Sequence, residues 1–223
     1  MSDDPRDLVR RGYDRIARGY LAARRGNGDT PFNRFLTEVV AAVPPGADVL
    51  DLGCGAGDPV ALAFADRRAF TGVDISGAQL DMARTRAPSA TFIRADMATV
   101  DFPEASFDAV VAFFSVIHVP REEHAGLFER IADWLRPGGI FAATLGHSDN
   151  PKDVEPDWYG APMYWSHFDS TTNVELLAAA GLAPEIAEVR GTDETFLCLL
   201  ARKPEVSGPG LGRDAGAPVG LRP

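Results

Sequence analysis

Val49-Leu50-Asp51-Leu52-Gly53-Cys54-Gly55-Ala56-Gly57 is an apolar run that ends in alternating glycines, with one carboxylate set inside it. Such a run reads as a buried parallel strand emptying into a tight turn, where missing side chains let backbone N–H groups approach a ligand. The spacing is G-x-G-x-G, one residue tighter than the G-x-G-x-x-G turn of dinucleotide-binding units, so the glycines predict a ligand turn without naming its ligand.

Two further apolar runs end the same way. Arg68-Ala69-Phe70-Thr71-Gly72-Val73-Asp74 predicts a second strand with Asp74 at its C-terminal end, the edge at which open α/β sheets bind ligands. Thr91-Phe92-Ile93-Arg94-Ala95-Asp96-Met97 predicts a third, again closed by a carboxylate. Phe107 to Phe114 gives a fourth strand, and Leu135-Arg136-Pro137-Gly138-Gly139 precedes a fifth at Ile140 to Leu145. Helical stretches alternate with these runs. One spans 76 to 87 with Ser76 as its N-cap, and one spans 121 to 135 and stops at the Pro-Gly-Gly turn. Alternating strands and helices imply a parallel sheet joined by right-handed crossovers.

Taken together and in this order, the glycine turn, the three strand-end carboxylates and the fourth- and fifth-strand segments resemble the class I S-adenosylmethionine-dependent methyltransferases, from about Tyr13 to Arg202. The resemblance implies a Rossmann-like three-layer α/β sandwich. Its sheet is mostly parallel and seven-stranded, and Pro184 to Arg190 and Glu194 to Arg202 close it with an antiparallel last strand. It also implies S-adenosyl-L-methionine as cofactor, S-adenosyl-L-homocysteine as product and no metal. Gly53, Gly55 and Gly57 would then pass close to the methionine and ribose, and Asp51 would face the amino or sulfonium charge. Asp74 would hold the ribose hydroxyls. Asp96 and Met97 would meet the adenine, with Ile75 and Gln79 flanking it. Phe113, Ser115 and His118, where the fourth strand ends, would reach the cofactor or substrate, although His118 also reads as a packing residue.

Residues 1–45 predict two helices. In the first, Leu8, Tyr13, Ile16, Ala17 and Tyr20 recur at helical spacing, so Tyr13 and Tyr20 share a face. Family resemblance makes this helix a cover for the cofactor; ordinary core packing explains the tyrosines equally well. Residues 46–203 are the core, with an irregular insertion at about 147–169 between the fifth strand and the helix from Ser170. Loops this long inside compact domains are functional or disordered. This one holds Trp158, Tyr159, Met163, Tyr164, Trp165 and Phe168, and it reads as a substrate lid for a flat small molecule. His147, just past the fifth strand, is the candidate general base, with His167 and His118 as rivals and His124 read as solvated. From 204 onward Gly and Pro dominate and large apolar side chains are scarce, which predicts a disordered tail over 204–223.

With 223 residues and a formal charge of -10, the chain suits one acidic domain and offers no broad basic face for nucleic acid. Cys54 and Cys198 sit in an apolar turn and an apolar strand, with no disulfide framework and no C-x-x-C spacing. The charged N-terminus lacks a signal-peptide core and no run is long enough for a bilayer, so the expectation is a soluble cytoplasmic protein, monomer or homodimer, without a membrane partner. Arg almost to the exclusion of Lys suits a GC-rich bacterial genome, where small methyltransferases commonly serve natural-product biosynthesis. The leading expectation is methyl transfer to a small molecule, at oxygen on an aromatic or polyketide-like acceptor. N- or C-methylation, a binding protein that keeps the cofactor without transfer, and a nicotinamide oxidoreductase are the alternatives.

Overall fold

The computed structural model describes residues 4–24, 30–65, 69–191 and 194–205. The expectations for a strand start at Arg68 and for the tail beyond 205 lie outside the described residues. Helices α1 (Pro5–Arg24), α2 (Pro31–Ala42), α3 (Val60–Ala63), α4 (Gly77–Arg86), α5 (His124–Trp134) and α6 (Ser170–Ala179) accompany nine strands. These are β1 (Asp48–Leu52), β2 (Ala69–Asp74), β3 (Thr91–Arg94), β4 (Phe107–Ala112), β5 (Leu135–Leu145), β6 (Asn150–Trp158), β7 (Ala161–His167), β8 (Ala183–Gly191) and β9 (Thr195–Arg202).

Seven strands form one sheet in the order β3-β2-β1-β4-β5-β9-β8. β1 to β5 pair in parallel, while β9 runs antiparallel to both β5 and β8. The order reverses at β1, so the C-terminal ends of β1 and β4 flank the crevice where such sheets take their ligands.

Strand alternation splits the core into two layers. Leu50, Val110, Phe141 and Leu199 face α5 and α6, where they meet Leu127, Phe128, Ile131 and Leu177. Val49, Val111, Ala142 and Leu200 face α2 and α3, where they meet Phe35, Val39, Val60 and Phe64. All five residues of β1 are buried, as a strand covered on both faces requires.

Three sequence expectations are corrected here. The insertion is an ordered antiparallel hairpin, β6–β7, and not irregular chain. Trp158 pairs with Ala161 across a two-residue turn in which Tyr159 and Gly160 have φ of 52° and 93°, the doubly left-handed turn that suits strand twist. Pro151 and Pro156 sit on exposed β6, an edge strand that tolerates residues without an N–H. The fifth strand begins at Leu135, so Pro137-Gly138-Gly139 lies inside β5, beside a register shift on β4 between Phe107 and Ala109. His124 is buried and not solvated: it opens α5 with its ring against Phe128 and Phe168, and its Nε2 donates to the Val119 carbonyl at 3.0 Å.

The hairpin packs on α1 and not on the main sheet. Val9 and Ile16 of α1 form a separate apolar cluster with Ala161, Met163 and Tyr164 of β7. Contact is close at Gly12, where a Cβ would stand 2.9 Å from both the Met163 Cε and the Pro162 carbonyl oxygen.

Candidate active site

The turn after β1 is pinned to β2 before any side chain contributes. The N–H groups of Gly53 and Cys54 both donate to the Val73 carbonyl, at 2.7 and 3.0 Å. Gly53 has φ +80°, and a Cβ there would fall 2.2 Å from the Ser115 Cβ. Only glycine meets both conditions. Ser115 itself donates its Oγ hydrogen to the Leu52 carbonyl at 2.6 Å, bracing the loop after β4 against the end of β1.

Asp74 joins this turn to the next helix. Its Oδ2 accepts from the Gly55 N–H and its Oδ1 from the Ser76 N–H, both at 2.8 Å. Burial still dominates and, with help from the charge on Asp14, lifts the carboxyl from 3.8 to about 6. Asp51 is raised well above its ordinary value by burial and by the nearby Asp74 charge, and its Oδ2 is buried without a hydrogen-bond partner. Ser76 caps α4 by accepting from the Gln79 N–H, and Asp14 of α1 accepts from the Ser76 hydroxyl and the Ala78 N–H. α1 is thereby fastened to the start of α4.

A cavity of about 920 Å³ opens over the C-terminal edge of the sheet. At one end it is lined by Ile75, Gln79, Asp96 and Met97, then by Asp51, Gly53, Gly55 and Asp74, then by Phe113, Ser115 and His118, with Tyr13 and Tyr20 of α1 beside them. Gly57 belongs to the same turn, with φ +78° and Ala61 and Ala83 packed close. Asp96 receives Arg6 Nε at 2.6 Å, and the other end of that guanidinium pairs with Glu123.

His118 is the one histidine among the described cavity residues. Its Nδ1 donates to the Tyr164 carbonyl at 2.8 Å, which fixes Nε2 as an acceptor, and the Tyr13 hydroxyl donates to it at 2.8 Å. Burial lowers this imidazole from 6.5 to about 4, so it is neutral at physiological pH.

The other predicted residues stand elsewhere. His147 is exposed on the bend after β5, where its backbone carbonyl accepts from Ser170, and it does not line the cavity. His167 bonds the Ser148 carbonyl through Nδ1 at 2.8 Å and is likewise outside it. Trp158, Tyr159, Met163, Tyr164, Trp165 and Phe168 do not line it either. They form a second layer: Trp158 lies edge-on to Tyr13 at 5.7 Å, Trp165 leans on His118 at 4.5 Å, and Met163 and Tyr164 are buried beneath α1. Phe168 carries the Arg121 guanidinium on its face. The sequence reading missed Phe32, Asn33, Phe114, Thr144, Arg190, Glu194 and Phe196, all of which line the cavity. Their signal was positional. Phe114, Thr144 and Phe196 lie in or beside strands whose apolar pattern reads as core, Phe32 and Asn33 open α2, and Arg190 and Glu194 lie in the polar stretch where β8 gives way to β9.

A family model described as a methyltransferase domain matches residues 49–139, the stretch from the glycine turn to the start of β5. Over that stretch the chain matches the class I S-adenosylmethionine-dependent methyltransferase family, whose Rossmann-like sheet it also has. Within that family it is 38% identical over 170 residues to a 27-O-demethylrifamycin SV methyltransferase of Amycolatopsis mediterranei, an alignment covering 69% of this chain and 61% of that one. It is 33% identical over 110 residues to a sterol 24-C-methyltransferase of Yarrowia lipolytica, covering 44% and 27%. The chain thus spans between about a quarter and three fifths of the length of these curated relatives. Among solved structures, the Burkholderia thailandensis 1,6-didemethyltoxoflavin-N1-methyltransferase with bound 1,6-didemethyltoxoflavin and S-adenosylhomocysteine superposes with a TM-score of 0.69. It is 20% identical and covers 92% of each chain, a likeness of fold. Among the described residues no helix is long and apolar enough to cross a membrane, and no group of His, Cys, Asp and Glu is placed to hold a metal ion.

Proposed function

We propose that this chain transfers a methyl group from S-adenosylmethionine to a small-molecule acceptor, at oxygen on an aromatic or polyketide-like compound. The observation that carries the reading is the unpartnered Asp51 oxygen, buried at the wall of a cavity whose floor is the glycine turn. A buried carboxylate oxygen without a donor is costly, and a cationic or N–H-bearing ligand removes that cost. The name of the Amycolatopsis relative, which refers to an O-demethylated substrate, supports oxygen as the acceptor atom.

The residues present fit the cofactor. Asp74 would accept from its ribose hydroxyls and Asp51 would face its amino or sulfonium charge. Asp96 would accept from the adenine amine with a lone pair not used by Arg6, and the Met97 thioether and Ile75 would pack on the ring. When bound, the cofactor supplies a methyl group already activated on sulfur, and its leaving thioether is neutral. The protein is therefore left to position the acceptor, exclude water and accept a proton. Tyr13 and Tyr20, backed by Trp158, close the cavity from above. Tyr13 lines the cavity with its hydroxyl bonded to His118 Nε2, and its oxygen is the group that would accept from an acceptor hydroxyl. A proton leaving that hydroxyl would enter the tyrosine–histidine pair.

Calorimetry with S-adenosylhomocysteine, followed by mass spectrometry of candidate acceptors for the gain of one methylene, tests this directly. Absence of binding at millimolar ligand refutes it. Binding without methyl gain across neutral aromatic acceptors refutes the transfer step alone.

A further inference from the structure

The sheet order places the Asp96–Met97 end of the cavity at β3 and the Asp51 turn at β1, which leaves the β4–β5–β9 side for whatever receives the methyl group. That side is walled by phenylalanine. Phe32 of α2 meets Phe113 and Phe114 edge-on at 5.3 and 4.8 Å, and Phe114 meets Phe196 of β9 at 4.9 Å. Phe32, Phe114 and Phe196 are only half-buried and line the cavity, so ring surface faces the void. Phe114 holds φ +55°, a conformation that bulky side chains avoid, with its N–H donating to the buried Thr144 hydroxyl at 2.6 Å. Backbone strain of this kind is retained where the surroundings over-determine it, commonly at ligand sites.

The two arginines among the described lining residues both have carboxylate partners. Arg190 is held by both oxygens of Glu38 at 3.0 Å each and by Glu188, with its guanidinium over Phe35. Arg6 is spanned between Asp96 and Glu123. Both cations among the described lining residues are thus already paired with carboxylates, while Asp51 and Asp74 add carboxyl groups to the same wall. An anionic acceptor would meet like charge in a low-dielectric site and find its countercharges taken.

Resting on the methyltransferase reading, we infer that the box formed by Phe32, Phe113, Phe114 and Phe196 is the acceptor chamber, and that it selects an uncharged planar ring and rejects a carboxylate of the same shape. Selection then works by stacking area and by charge exclusion, with both cations among the described lining residues already engaged.

The probes are 2-naphthol and 2-naphthoate, titrated calorimetrically at neutral pH into the full chain with and without saturating S-adenosylhomocysteine. Naphthol should bind and naphthoate should bind at least about tenfold more weakly. Phe196→Ala and Phe114→Ala should each weaken naphthol at least about fivefold, while S-adenosylhomocysteine affinity changes less than about twofold. If Phe114→Ala does not fold, Phe32→Ala takes its place. Equal affinity for the two probes, absence of naphthol binding, or naphthol affinity unmoved by the folded variants overturns the inference. Failure of S-adenosylhomocysteine to bind the wild-type chain defeats the methyltransferase reading instead, and it is read in a separate titration.

Discussion

If Asp74 accepts two hydroxyl hydrogens from the cofactor, it must be ionised to bind, and burial has set its carboxyl at about 6. Lowering the pH from 7.5 to 5.5 leaves roughly a quarter of the population ionised, so affinity for S-adenosylhomocysteine should fall about fourfold, or about 0.8 kcal/mol. Asp51 is displaced in the same direction by burial and by Asp74, so it steepens the fall. The sign is fixed: the free protein holds extra protons in this window, and binding must expel them. Titration calorimetry at pH 6 in two buffers of different ionisation enthalpy should show net proton release of about half a proton or more per ligand. Asp74→Asn should flatten most of the slope and weaken binding at pH 7.5 by at least tenfold, since hydrogen bonds to a charged group carry about 1.5–3 kcal/mol. A dissociation constant unchanged between pH 7.5 and 5.5, with circular dichroism showing an intact fold, would refute the reasoning.

Two buried histidines should weaken the fold in acid. His118 and His124 are each lowered from 6.5 to about 4, first by desolvation, so the unfolded chain takes up protons that the fold refuses. The histidines alone should therefore leave stability unchanged above about pH 7 and lower it by about 3 kcal/mol each as pH falls to 4. The raised Asp74 carboxyl acts in the opposite sense, favouring the fold as it protonates below about 6, so the test is the difference made by His124→Gln, which should recover about 3 kcal/mol at pH 4 relative to pH 7 in urea titrations. Tyr13→Phe strands the Nε2 of His118 and should cost about 1–3 kcal/mol by chemical denaturation while lowering turnover on a hydroxyl acceptor. Met163→Ala empties a fully buried site under α1 and should cost about 2–5 kcal/mol. Hydrogen exchange should then rise in α1 and β7 and remain unchanged in β1 and β4.

The glycine-turn side of the cavity was legible because its determinants are local and repeat: three apolar runs, each with an aspartate at or near its end, and glycines after the first. Strand geometry sends each such carboxylate to one sheet edge, so sequence order alone assembles it. The phenylalanine side of the cavity had no such repeat. Phe32, Phe114 and Phe196 lie on α2, after β4 and on β9, and only the strand order 4-5-9 brings those elements together. His147 looked well placed for being next to β5, but the chain bends outward there and exposes it. The aromatic insertion misled for a different reason. Composition shows that Trp158, Met163 and Tyr164 will be packed, but not which side of the roof they pack against.

That roof has an evolutionary consequence. Because β6–β7 braces α1 from behind, mutations in the hairpin can tilt Tyr13 and shift His118 without altering one atom that meets a guest molecule. Selectivity in such a scaffold can drift through its outer buttress, and screens confined to first-contact positions would overlook the residues that retune it.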